Sequence, residues 1–125
     1  MTNITGAETP IEKYAGILAH PTSFPGPYGI GDLGEGAYRF IDFLEQSGLN
    51  LWQVLPLGHT GFGDSPYQPF SSFAGQPLII SLDFLKQVHL LYDSDFSDMP
   101  DWDPVQINYG TLIEFKTRLL HIAYE

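Results

Sequence analysis

The sequence predicts an α/β fold: a βαβ unit followed by a long loop and helices. Three observations predict it. Two short apolar runs, 15–20 and 51–56, each lead into a loop dense in proline and glycine. Between them Ala37, Phe40, Ile41 and Leu44 fall at i, i+3, i+4 and i+7, the period of a helix with one buried face. Strand, helix and strand at this spacing close right-handed, with the two strands parallel.

Each element has its own warrant. Residues 1–14 are polar and read as a lead-in to one domain over 15–125. The run 15–20 stops at Pro21 and is expected to be a buried strand. The loop 21–34 carries Thr22, Ser23, Phe24, Tyr28 and Asp32. Its Gly29, Gly31 and Gly34 match the bare spacing of a dinucleotide fingerprint. The flanking prolines and the distance from the strand end argue against that use. A helix is expected over 35–47, with Glu35 in its first turn and Gly48 as its stop. Burying Phe40, Ile41 and Leu44 should contribute roughly 1.5–3 kcal/mol each. Leu51, Trp52, Val54 and Leu55 suit a strand covered on both faces, and Pro56 suits its last position.

Residues 78–81 are expected to be extended, with Ser81 capping a helix over 82–88 and Asp83 in its first turn. The stretch 92–103 holds five aspartates. Asp93, Asp95 and Asp98 resemble a calcium loop in spacing but lack its glycine and closing glutamate, so a solvated acidic loop is expected. Asn108 is placed to cap a last helix over 109–124, with Leu112, Phe115, Leu119 and Ile122 as its apolar stripe.

Composition narrows the function classes. The net charge is −10 with only five Lys plus Arg, which disfavours nucleic acid and anionic membranes as partners. A neutral ligand is compatible. No cysteine is present, so disulfides and thiolate metal sites are excluded. No metal and no cofactor are expected. No run is long enough to span a membrane and the N-terminus lacks a signal-peptide pattern, so a cytoplasmic location is expected. At 125 residues the chain suffices for one domain but is short for a complete barrel enzyme.

Parallel strands bring the loops 21–34 and 58–77 to one rim, the edge where α/β folds bind ligands. The second loop is the richer. Gly58, Gly61 and Gly63 permit sharp turns, and Pro66 and Pro69 stiffen the cluster around them by fixing φ. Asp64, Ser65, Tyr67 and Gln68 lie among Phe62, Phe70 and Phe73. Flat rings beside fixed polar groups suit a pyranose sugar. The same aromatics equally suit the cap of a core beneath an ordered loop.

One block runs His20-Pro21-Thr22-Ser23-Phe24-Pro25-Gly26-Pro27-Tyr28-Gly29-Ile30-Gly31-Asp32-Leu33-Gly34. A second spans Trp52-Gln53-Val54-Leu55-Pro56-Leu57-Gly58 and Thr60-Gly61-Phe62-Gly63-Asp64-Ser65-Pro66-Tyr67-Gln68, with Phe73-Ala74-Gly75 beyond. Together they resemble the start of a 4-alpha-glucanotransferase of the amylomaltase family. The resemblance implies the N-terminal portion of a (β/α)8 TIM barrel of the α-amylase clan. It implies transfer of an α-1,4-glucan segment to the 4-hydroxyl of another sugar, with retention through a carboxylate nucleophile and a carboxylic acid/base. In the family these carboxylates come from later strands, and neither Asp32 nor Asp64 matches a catalytic position. No catalytic residue is therefore expected in this chain, which the resemblance reads as an inactive piece lacking the C-terminal remainder of the barrel.

By the same matching, Tyr67 stacks on the sugar beside the scissile bond and Ser65 contacts glucan hydroxyls. Asp64 and Gln68 assist or order the loop. Phe62, where relatives often carry Tyr, marks an outer glucan site with Tyr109 as its partner. His59 stands where Pro is common, and Gln76 where Asn is common. His20 reads as a structural histidine. The partners implied are α-1,4-glucans. The alternative readings are a stand-alone carbohydrate-binding module and an inactive truncated fragment.

Overall fold

The computed structural model describes residues 13–59, 71 and 73–125. Strand β1 (Gly16–Leu18) pairs in parallel with β2 (Leu51–Gln53), and Ile17 faces Trp52 across the pair. Helix α1 (Glu35–Gln46) makes the crossover, so the expected βαβ unit is present. Side chains lock the register at both ends. Asn50 Oδ1 accepts from the Ala15 amide at 3.0 Å, and Trp52 Nε1 donates to the Ala19 carbonyl at 2.8 Å.

Two expectations about this unit need correction. The strands are not covered on both faces, because Leu18 and Leu51 are each 49% exposed. Among the described residues each strand has only the other as a neighbour, so one edge of each is open. The buried stripe of α1 is also narrower than its period suggests. Ala37 and Leu44 are buried and Phe40 packs on Phe24 and Trp52, with ring centroids 4.9 and 5.3 Å away, but Ile41 stays exposed. The helix ends at Ser47, and Gly48 comes next with φ +69° as expected of a stop.

The second half is helical. Residues Pro77–Ile79 form a 3-10 turn where an extended piece was expected. Pro77 fixes φ in the helical range and its carbonyl accepts from Ile80 N at 3.1 Å, which closes the turn. Ser81 Oγ then caps α2 (Leu82–Gln87) by accepting from Phe84 N. The acidic loop contains a 3-10 turn, Asp93–Phe96. It is held to the helices by ion pairs, Lys86 with Asp93 and Arg118 with Asp98. Asn108 caps α3 (Tyr109–Tyr124) by accepting from Thr111 N at 3.2 Å.

Helix α3 buries Leu112, Phe115, Lys116 and Leu119. Ile122, expected in the stripe, is exposed. The core has two parts: Tyr28, Leu82, Leu91, Phe115 and Leu119 in one, and Ile30, Leu78 and Leu112 in the other. Trp102 packs against both. Tyr28 and Ile30 come from the first loop, so this loop carries the βαβ unit onto the helices. Gly29 lies between them at φ +76°, and a Cβ there would sit 2.4 Å from the Trp102 ring. Among the described residues no helix is long and apolar enough to cross a membrane.

Candidate functional site

The second loop leaves β2 and returns to the helical half through a closed neck. Gln76, buried, donates from Nε2 to the Gly58 carbonyl at 3.3 Å, joining the two ends. Near the return, Ser71 Oγ accepts from the amides of Phe73 and Ala74, each at 3.2 Å. The Phe73 ring is fully exposed. His59 is also exposed. Phe62, Asp64, Ser65, Tyr67 and Gln68 lie outside the described residues. Tyr109 opens α3 and leans, half-buried, on the cluster of Ile30, Leu78 and Leu112.

The first loop meets the exit of the second. Leu33 N donates to the Ile79 carbonyl at 2.9 Å. Lys116 Nζ, with a fully buried side chain, donates to the carbonyls of Leu78 at 2.6 Å and Ile80 at 3.0 Å. Three consecutive carbonyls thus take donors from the first loop and from α3. Asp32 completes the junction. Its Oδ1 accepts from Gly34 N at 2.8 Å, and its Oδ2 lies 3.8 Å from Lys116 Nζ.

The rings of the first loop are engaged in packing. Tyr28 is only 6% exposed, and its hydroxyl donates to Asp83 Oδ1 at 2.5 Å. Phe24 packs on α1 and β2. The first loop thus braces the two halves, with Tyr28 buried and Phe24 half-buried at the edge of the cleft it shares with residues 99–107. His20 is buried, with Nδ1 2.8 Å from Thr22 Oγ1, in line with its structural reading.

Burial sets the ionisation of these groups. It pushes Tyr28 well above the ordinary phenol range, and the bond to Asp83 adds to this. It raises Asp32, against the opposing pull of Lys116 and of the Gly34 amide. It lowers Lys116 to about 8, with Asp32 and Asp83 acting in the other direction. It also lowers His20.

Lys116 escapes notice in the sequence because a cation is not counted in an apolar stripe. Its position among Leu112, Phe115 and Leu119 is the signal that would have found it.

A family model described as 4-alpha-glucanotransferase matches residues 19–125. The chain belongs to this family. A 4-alpha-glucanotransferase of Clostridium butyricum is 49% identical over 106 residues, 84% of this chain and 22% of the relative. One from Thermus thermophilus is 47% identical over 109 residues, 87% of this chain and 21% of the relative. Among solved structures, the amylomaltase from Streptococcus agalactiae in complex with acarbose matches with a TM-score of 0.79 and 40% identity. The match covers 90% of this chain and 23% of that one. The chain therefore spans about a fifth of the length of these 4-alpha-glucanotransferases. Among the described residues, no three His, Asp or Glu side chains form a set that could hold a metal ion.

Proposed function

We propose that this chain supplies part of the glucan-binding rim of a 4-alpha-glucanotransferase. The enzyme transfers an α-1,4-glucan segment to the 4-hydroxyl of an acceptor glucan or glucose, with retention. The βαβ unit is the N-terminal portion of a (β/α)8 barrel, with 1–14 as a lead-in and 15–125 within the catalytic domain. Tyr67 stacks on a sugar ring, Ser65 contacts its hydroxyls, and Asp64 and Gln68 order the loop. Phe62 and Tyr109 bind glucan further out. The carboxylates that break and remake the glycosidic bond are not among these residues. The location is cytoplasmic.

The observation that carries this reading is the loop 58–76. It is closed at its neck by Gln76, comes directly after β2, and bears a fully exposed Phe73 in a chain of this family. An exposed ring is what sugar stacking requires. The acarbose complex of the similar amylomaltase supports a ligand at this fold.

Calorimetric titration of the chain with maltohexaose tests the reading. Saturable binding is expected, and Tyr67→Ala should weaken it by roughly tenfold or more, the loss of about one stacking contact. Maltotriose incubated with the chain should release no glucose. Binding indifferent to Tyr67→Ala would refute the assigned rim, and glucose release would refute the placing of the catalytic carboxylates elsewhere.

A further inference from the structure

Lys116 is the one described cation with a fully buried side chain, and no surface ion pair explains it. An ammonium taken out of water is costly unless its protons are matched by acceptors. Here two backbone carbonyls, Leu78 and Ile80, accept from it, and the Asp32 carboxylate stands 3.8 Å away as its counter-charge. These groups come from different places. Asp32 lies at the end of the first loop. Leu78 and Ile80 lie where the chain leaves the second loop, directly after the neck formed by Gly58 and Gln76. Between the two lysine contacts, the Ile79 carbonyl accepts from Leu33 of the first loop. Next to them a Cβ on Gly34 would fall 2.6 Å from Ser81 Oγ, so the two segments touch without a gap.

We infer that Lys116 is a positioning residue: its buried side-chain nitrogen latches the end of the first loop to the segment 78–80, so that both hold one place relative to α3. The inference rests on the proposed glucan rim only for what that junction is there to support. Lysine suits this task because a single nitrogen on a flexible stem reaches two acceptors and a counter-charge at once. The charges facing it are Asp32 from the first loop and Asp83 from α2, while the segment 78–80 offers only carbonyls. Tyr28, bonded to Asp83, ties the middle of the first loop to the same corner.

Amide hydrogen exchange on the 125-residue chain tests the latch, with no sugar present. Failure here therefore leaves the glucan reading to its own titration. Lys116→Met keeps the length and fills the space but leaves two carbonyls without their donor and a carboxylate without its counter-charge. Protection of the Leu33 and Ile80 amides should fall by roughly ten- to a hundredfold, while that of Leu44 in α1 holds. Asp32→Asn keeps the acceptor for Gly34 and removes the charge, and should give a smaller fall at the same two amides. If Lys116→Met does not fold, Asp32→Asn decides.

A pH series tests whether opening of this corner is coupled to the burial of Lys116. The lysine is charged more readily when the latch is open to water than when it is closed. Corrected protection at Leu33 and Ile80 should therefore rise as the pH passes upward through about 8, in step with the Lys116 side-chain signal. In Lys116→Met the rise should vanish. Unchanged protection at both amides, a loss spread evenly over all amides, or a pH profile shared by wild type and Lys116→Met would overturn the inference.

Discussion

The two halves of this molecule are built from similar kinds of apolar sequence and use it differently. In the helical half, Leu78, Ile79, Leu82, Leu91, Leu112, Phe115 and Leu119 are buried and form a core, although Ile80, Val88, Leu90, Ile113 and Ile122 stay exposed around it. In the βαβ half, Leu18, Tyr38, Ile41, Phe43 and Leu51 are exposed, and only Ala37 and Leu44 are buried on the unit itself. The difference arises from geometry. The stripe of α3 is covered by Leu78, Leu82 and Leu91 together with Tyr28 and Ile30 of the first loop. A parallel strand pair has two open edges and two faces, and one crossover helix covers only part of them. The first loop is the bridge between the halves, because Tyr28 and Ile30 enter the helical core while Phe24 stays with α1 and β2.

Substitutions at matched leucines probe this contrast most strongly. Leu119→Ala removes a fully buried side chain and should lower stability by about 2–5 kcal/mol, read from the urea midpoint. Leu18→Ala, at a half-exposed site, should stay within about 0.5 kcal/mol. Equal losses at the two sites would mean that the strands are covered after all, and the contrast would fail. A smaller effect sharpens it. Asn108→Ala removes the cap of α3 and should cost about 1 kcal/mol. Circular dichroism should show that loss as earlier melting of helix. Because Gly34 caps α1 without a side-chain bond, no equivalent substitution exists in the βαβ half.

Much of the fold was legible from local signals. The strand–helix–strand order, the serine cap at Ser81, the asparagine cap at Asn108 and the stop at Gly48 each rest on a few adjacent residues, and each is found. The features that were not legible depend on distant neighbours. Periodicity places Ile41 and Ile122 near an apolar stripe but does not say where cover ends, and both lie at the exposed margin. Tyr28 stands among prolines and glycines in a loop that the strand order brings to the rim. Only the approach of Asp83, far along the chain, turns it inward. Lys116 and Asp32 meet across three segments, which no spacing rule anticipates. For the candidate site, the family was readable in the two loop blocks and the match over 19–125 agrees. The role of Gln76 in closing the second loop was not, since the contact to Gly58 joins residues separated by the whole display segment.

The central claim is a division of labour: the first loop braces and the second displays. Resonance-by-resonance titration of the chain with maltohexaose tests it most directly. Amide shifts confined to the loop 58–77, with the first loop unmoved except at its junction near Leu33, are the predicted result. The first loop also borders an open cleft of about 690 Å³ opposite Met99 to Ile107. Shifts gathered in that cleft, with the second loop silent, would contradict the claim.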